Sequence, residues 1–176
     1  MSLALLLLSA CNREIEILGD DWCADERDAT ILEIVDGDTI KVDNGETLRL
    51  LGIDAPEIHY EGSSYCTSQE APACCNGVEA EDWLKALLPE GTSVRLSFDL
   101  ECEDTYSRTL AYVWLDSSGD TGEQDLLVNE LAIDEGMSRL FDEDIGSALD
   151  IRYYDRFQAA QTDAQGQGAG LWGACY

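Results

Sequence analysis

Residues 35–57 read VDGDTIKVDNGETLRLLGIDAPE, and the fold is decided there. Two runs that alternate apolar with polar side chains, 39–43 and 47–53, flank Asn44-Gly45. That dipeptide tolerates the positive φ angles of a tight turn, so the stretch spells a β-hairpin. Asp36-Gly37-Asp38 precedes the first run and Asp54-Ala55-Pro56-Glu57 follows the second. A hairpin returns its second strand to the start of its first, which sets the two acidic turns side by side. Asp36, Asp38, Asp54 and Glu57 are therefore expected to converge. Oxygen donors at that density suit calcium or magnesium, whereas zinc prefers Cys and His. Arg49 falls inside the second run, where a guanidinium is expected to point at an anion or a carboxylate.

Working outward, residues 30–35 alternate and feed the hairpin as a first strand. Residues 58–76 form a loop containing Cys, Ser and Pro. From Gly77, the set Ala80, Trp83, Leu84, Leu87 and Leu88 recurs at helical spacing until Pro89 and Gly91 stop it. Strands are expected over 93–100 and 109–115, separated by a turn at 101–108. A short helix is expected over 124–131. A longer one is expected over 147–164, with Leu149, Tyr153, Phe157, Ala160 and Ala164 on one face. No internal repeat appears. The fold class is α+β and mainly β, a five-stranded OB-type barrel with about three helices.

Three motifs in order carry a resemblance: D-G-D-T at 36–39, R-L-L-G-I-D-A-P-E at 49–57 and D-T-Y-S-R-T-L-A-Y at 104–112. Together they resemble the staphylococcal nuclease (thermonuclease) family, over roughly residues 30–172. The resemblance implies the same barrel and a calcium-dependent phosphodiesterase that cuts single-stranded DNA or RNA and leaves 3′-phosphates. A phosphodiester repels anionic nucleophiles, so its hydrolysis needs charge neutralisation and a positioned water. Calcium on Asp38 and Asp54 supplies the first. By resemblance, the Ala55 carbonyl is a further ligand and Glu57 activates or orients the water. Arg49 and Arg108 offer planar forks to phosphate oxygens. Tyr106 and Asp36 complete the expected substrate-binding set. Two positions depart from the family pattern. Thr105 stands where a basic residue is frequent, which removes a phosphate contact. Ser107 stands where Gly is usual, at a cost if the backbone there needs a positive φ. The aromatic nucleotide contacts that the family has late in the chain find no clear match over 136–141, where Phe141 is a weak candidate and reads better as a core residue. The competing reading is a catalytically silent binding barrel, although Asp38, Arg49, Asp54, Glu57 and Arg108 are all retained.

Charge pulls the other way. Asp and Glu number 37 against 10 Lys and Arg, for a net charge of −27 in 176 residues. Taken alone, that speaks against a polyanionic partner. Residues 1–11 read as a leader: Leu3 to Leu8 is too short to cross a bilayer, and Leu8-Ser9-Ala10-Cys11 is similar to the bacterial lipoprotein box. No Lys or Arg precedes the apolar run, unlike an ordinary signal peptide. Residues 12–28 read as an acidic linker and 29–176 as the nuclease-like domain. Export is expected, either as a lipoprotein anchored to a membrane through lipid on Cys11 or as a secreted protein, with a nucleic acid as the partner and a monomeric state. The six remaining cysteines, Cys23, Cys66, Cys74, Cys75, Cys102 and Cys175, are expected to be oxidised. A Cys23–Cys175 bond would staple the two ends, and a vicinal Cys74–Cys75 bond would be strained. His59, two residues past Glu57, could reach the site but reads better as a loop residue.

Overall fold

A computed structural model describes residues 23–60, 64–65, 75–116, 125–141 and 151–176. β1 (Arg27–Ile34), β2 (Thr39–Val42) and β3 (Thr47–Leu50) form an antiparallel meander. Its turn is the one Asn44-Gly45 encodes. Gly45 has φ +81° and donates its N–H to the Val42 carbonyl, and Asn44 Oδ1 accepts the Glu46 N–H at 2.8 Å. A bulge between Ile31 and Glu33 shifts the pairing with β2 by one residue and turns Leu32 out to solvent.

The chain continues through β4 (Ile53–Asp54), β5 (His59–Tyr60) and β6 (Ser64–Tyr65) to α1 (Gly77–Leu87). Ala80, Leu84 and Leu88 of that segment are fully buried, and the helix ends before Pro89 as its sequence requires. β7 (Ser93–Ser97) and β8 (Thr109–Asp116) follow, then β9 (Asp125–Leu127), α2 (Val128–Asp134), β10 (Arg139–Leu140), α3 (Tyr154–Gln167) and the short α4 (Leu171–Ala174). The main sheet runs β3-β2-β1-β7-β8-β9, and β3 also pairs in parallel with β8. That pairing closes β1, β2, β3, β8 and β7 into a five-stranded barrel with helices packed outside. The fold class expected from the sequence is the one observed.

Boundaries differ at several places: the strand expected over 93–100 ends at Ser97, and the stretch 58–76 read as loop holds β5 and β6. The run 47–53 is not one strand: Gly52 has φ +78°, and a Cβ there would lie 2.8 Å from the Phe157 ring. β3 therefore stops at Leu50, and the chain restarts as β4 against β10. The start of the expected 124–131 helix is β9, whose Leu126 is 39% exposed and Leu127 3%, the period-two pattern of an edge strand on β8. α3 begins at Tyr154, and Gly168 at φ +63° ends it; Leu149 lies outside the described residues. β1 begins at Arg27, inside the stretch read as linker, because residues 27–30 pair with β7.

The cysteine pairing is also corrected. Cys175 is bonded to Cys75 across 100 residues, and Cys23 and Cys102 are free thiols. The Cys23 N–H bonds the Asp99 carbonyl, which draws its thiol against Glu101 and Cys102 and away from Cys175. Cys11, Cys66 and Cys74 lie outside the described residues.

One side chain ties the helical layer to the barrel seam. Asn129 of α2 is fully buried; its Oδ1 accepts the Val113 N–H at 2.9 Å, and its Nδ2 donates to the Leu51 and Ala111 carbonyls at 3.0 and 3.2 Å. Those carbonyls belong to the two chains that meet where β3 and β8 close. A buried donor or acceptor stripped of its partner costs about 1–3 kcal/mol. Asn129→Ala is expected to lower the unfolding free energy by about 3 kcal/mol, read by urea denaturation. A loss below about 1 kcal/mol would mean that water replaces the amide.

Candidate active site

The two acidic turns meet as the hairpin requires. Gly37 permits the approach, since a Cβ there would lie 2.7 Å from the Ala55 methyl and 2.9 Å from that of Ala80 in α1. Asp36 Oδ1 accepts the Asp38 N–H at 3.0 Å and so shapes its own turn. Asp38, 6% exposed, accepts the Ala55 N–H at 2.8 Å on Oδ2 and the Thr39 hydroxyl at 3.1 Å on Oδ1.

Arg49 lies between the turns. In β3 it sits opposite Thr39, and its Nη2 is 3.4 Å from Asp54 Oδ1. Its Nη1 is in ion-pair contact with Asp38, yet this buried nitrogen has no acceptor at hydrogen-bonding angles among the described residues. The expected convergence of carboxylates is thereby altered. Among the described residues no three acidic, His or Cys side chains stand arranged as a metal site. The guanidinium takes the space between Asp38 and Asp54. Donor chemistry nonetheless fits a hard cation, because the four carboxylates Asp36, Asp38, Asp54 and Glu57 outnumber the two guanidiniums, Arg49 and Arg139, that contact them.

The parallel seam brings in Arg108. Thr109 pairs with Leu48, so the residue before β8 arrives beside the hairpin. Asp104 accepts the backbone N–H groups of Tyr106 and Arg108 on Oδ1 and the Arg108 Nε–H on Oδ2 at 2.5 Å. Arg108 Nη1 reaches the Thr39 hydroxyl at 3.4 Å, and its guanidinium lies 5.5 Å from the Tyr106 ring centre. Tyr106 is 80% exposed. Ser107 has φ +60°, the left-handed shape that a glycine would adopt without strain.

An open cavity of about 470 Å³ lies between these parts, lined in part by Arg49, Asp54, Glu57, Asp104, Tyr106 and Arg108. Phe141 lines it too, so that ring faces the cavity and not only the core. Asp36, Asp38 and Ala55 stand behind the lining. The His59 side chain lies outside the described residues. Sequence reading missed two partners. Asp104 was visible only as a motif letter, and Arg139 carried no local signal; it donates to Asp54 Oδ2 through Nε at 2.9 Å and Nη2 at 2.6 Å.

A small closed barrel of the OB type with two arginines and a cluster of carboxylates at one mouth is the class of domain that this fold and site define. The chain belongs to the family described as staphylococcal nuclease homologues, which it matches over residues 47–174. It is 32% identical over 152 residues to a thermonuclease of Staphylococcus hyicus, spanning 85% of this chain and 78% of that one. A thermonuclease of Staphylococcus intermedius is 38% identical over 88 residues, 48% of this chain and 47% of its own. The SPbeta prophage-derived endonuclease YokF of Bacillus subtilis is 31% identical over 149 residues, 82% of this chain and 44% of its own length.

Burial pushes the Asp38 carboxyl from 3.8 up to about 7, against the opposing pull of Arg49. Glu57 is raised as well, by partial desolvation and then by the fields of Asp36 and Asp54. A carboxyl raised on folding takes up a proton, so its stabilising share is full below the unfolded value and is lost as pH climbs through the folded one. Glu46 and Asp104 are lowered and act in the opposite sense, at more acid pH. Metal-free protein is therefore expected to lose stability as pH rises from about 4 to about 7, read by urea titration in a chelator. Asp38→Asn should flatten that slope; an unchanged slope would assign the titration elsewhere.

Proposed function

We propose that the protein is a calcium-dependent nuclease that hydrolyses phosphodiester bonds of single-stranded DNA or RNA and leaves 3′-phosphates. The observation that carries this reading is the cavity whose wall brings Arg49 and Arg108 together with Asp54 and Glu57. A phosphate entering it would meet both guanidinium forks beside carboxylates that suit a hard cation. Asp38, Asp54 and the Ala55 carbonyl would hold calcium, which when bound neutralises phosphate charge and gathers the attacking water. Glu57, raised and at the cavity wall, accepts the proton of that water. Attack at phosphorus breaks the bond to the 5′ oxygen, and charge gathers on oxygens that Arg49 and Arg108 meet with fixed donors. Tyr106 offers an exposed ring for a base to stack on. For location the thiols point two ways: the Cys75–Cys175 bond supports an exported protein, since disulfides persist where surroundings oxidise thiols, and the free Cys23 and Cys102 count against it.

A silent binding barrel is the second reading, and the acidity favours it. The experiment that separates them incubates the purified protein with single-stranded DNA, duplex DNA and RNA, in calcium or in a calcium-selective chelator. Calcium-dependent products ending in 3′-phosphate are expected. Binding without cleavage of any of the three would leave the silent barrel. Arg49→Lys keeps the charge and loses the fork, and turnover should fall at least about a hundredfold. Near-wild-type turnover would give the role to another residue.

Salt dependence follows from where the cations sit. Arg27, Lys41, Lys85 and Arg156 are in ion pairs with Glu46, Glu33, Glu81 and Glu130. Few are left to displace counterions from a polyanion, whereas screening relieves repulsion from the carboxylates. Cleavage efficiency at saturating calcium is expected to stay flat or rise from dilute to physiological sodium chloride. A steep fall would reveal a basic groove.

A further inference from the structure

We propose that Arg139 is a positioning residue for Asp54, and that the Cys75–Cys175 bond holds Arg139 in place by pinning the C-terminus behind it. This rests on the nuclease reading, in which Asp54 is a calcium ligand.

β10 pairs antiparallel with β4, with Arg139 opposite Asp54 and Leu140 opposite Ile53. The register is fixed on both flanks, by the Leu140 N–H on Gln161 Oε1 at 2.8 Å and the Phe141 N–H on the Gly52 carbonyl at 3.0 Å. From that strand Arg139 places Nε and Nη2 on the same oxygen, Asp54 Oδ2. Oδ1 is the oxygen left toward Arg49. A carboxylate committed through one oxygen presents the other in one orientation, which is how an outer donor tunes a metal ligand. Arg139 is 52% exposed, and an exposed pair held by side chains alone contributes little. Here the strand pairing supplies the order that side-chain entropy would otherwise remove.

The C-terminus supports the same strand from behind. The Leu171 N–H bonds the Gly136 carbonyl at 2.8 Å, and the turn at Gly136 packs so close to Gly170 that a Cβ on Gly170 would lie 2.2 Å from that carbonyl. Cys175 and Tyr176 then border a gap of about 20 Å³ together with Asp54, Cys75 and Arg139. At the other end of the bond, Cys75 precedes Asn76, whose amide donates to the Gly136 carbonyl at 3.3 Å. Next comes Gly77, where a Cβ would lie 2.3 Å from the Glu57 carbonyl. One covalent bond thus joins the segment packed on the Glu57 backbone to the C-terminal segment packed on the turn that delivers Arg139.

The test uses the full oxidised chain. Arg139→Gln should lower calcium affinity by calorimetry at least about tenfold, and lower kcat with little change in KM. Unchanged or tighter calcium binding would overturn the proposal. Cys75→Ser/Cys175→Ser should weaken calcium binding in the same direction while circular dichroism stays native; unchanged affinity would remove the bond from the proposal. A third measurement needs neither metal nor turnover. In chelator, the unfolding constants of Arg139→Gln, Asp54→Asn and the double variant should be non-additive by several-fold. If the wild type neither binds calcium nor cleaves, the nuclease reading fails, and this cycle alone decides whether Arg139 holds Asp54. Additive effects would overturn it.

Discussion

The parallel pairing of β3 with β8 is the contact on which the rest depends. Parallel strands cannot be joined by a tight turn, so the chain between Leu50 and Thr109 makes a long excursion through α1 and β7 before it returns. Its closure cost is met by interactions at the seam: the Leu48, Arg49 and Leu50 register, the Leu51 N–H on the Ala111 carbonyl, and the buried Asn129 amide beneath both. Function follows from the same closure. Arg49 lies in one seam strand and Arg108 precedes the other, so the pairing that completes the barrel also sets two guanidiniums at one mouth.

Much of this was legible locally. Asn44-Gly45 fixed the hairpin, and Pro89 with Gly91 fixed the end of α1, because the turn chemistry of those residues acts over a few neighbours. What escaped was non-local or ambiguous in period. Leu126-Leu127 suits a helix or a strand until β8 is present to pair with it. The break at Gly52 answers to Phe157, a residue of a different layer. Asp54 and Arg139 are separated by 85 residues, and Cys75 and Cys175 by 100, distances over which spacing carries no signal. The acidic turns met as the hairpin demanded, and Arg49 points at their carboxylates as its place inside the second run led one to expect; that it lies between the two turns is the part a hairpin diagram does not show.

Strain gathers at the same place as charge. Among the described residues the two non-glycine positions with positive φ are Asn76 and Ser107. Asn76 opens the approach to the Glu57 backbone, and Ser107 precedes Arg108. Each holds an L residue in a left-handed shape that costs of order 1 kcal/mol, and each persists because the surrounding contacts over-determine it. Asp38 adds a carboxyl that burial makes reluctant to ionise. The barrel, with its fully buried Leu and Ile side chains, supplies the stability that these concessions at its mouth draw down.

The Cys75–Cys175 bond has a topological effect beyond its place beside the site. Everything from α1 to α4 lies within one covalent ring, whereas the hairpin that carries Asp38, Arg49 and Asp54 lies outside it. A protease that cuts one peptide bond anywhere inside the ring opens it without releasing a fragment. The two pieces stay joined through sulfur, and the seam between β3 and β8 still holds the hairpin to them. A cut between the hairpin and Cys75 lacks that safeguard, and only strand pairing and packing then retain the acidic turns. The molecule is thus unequally defended against nicking, best where Arg108 sits and least where its carboxylates do.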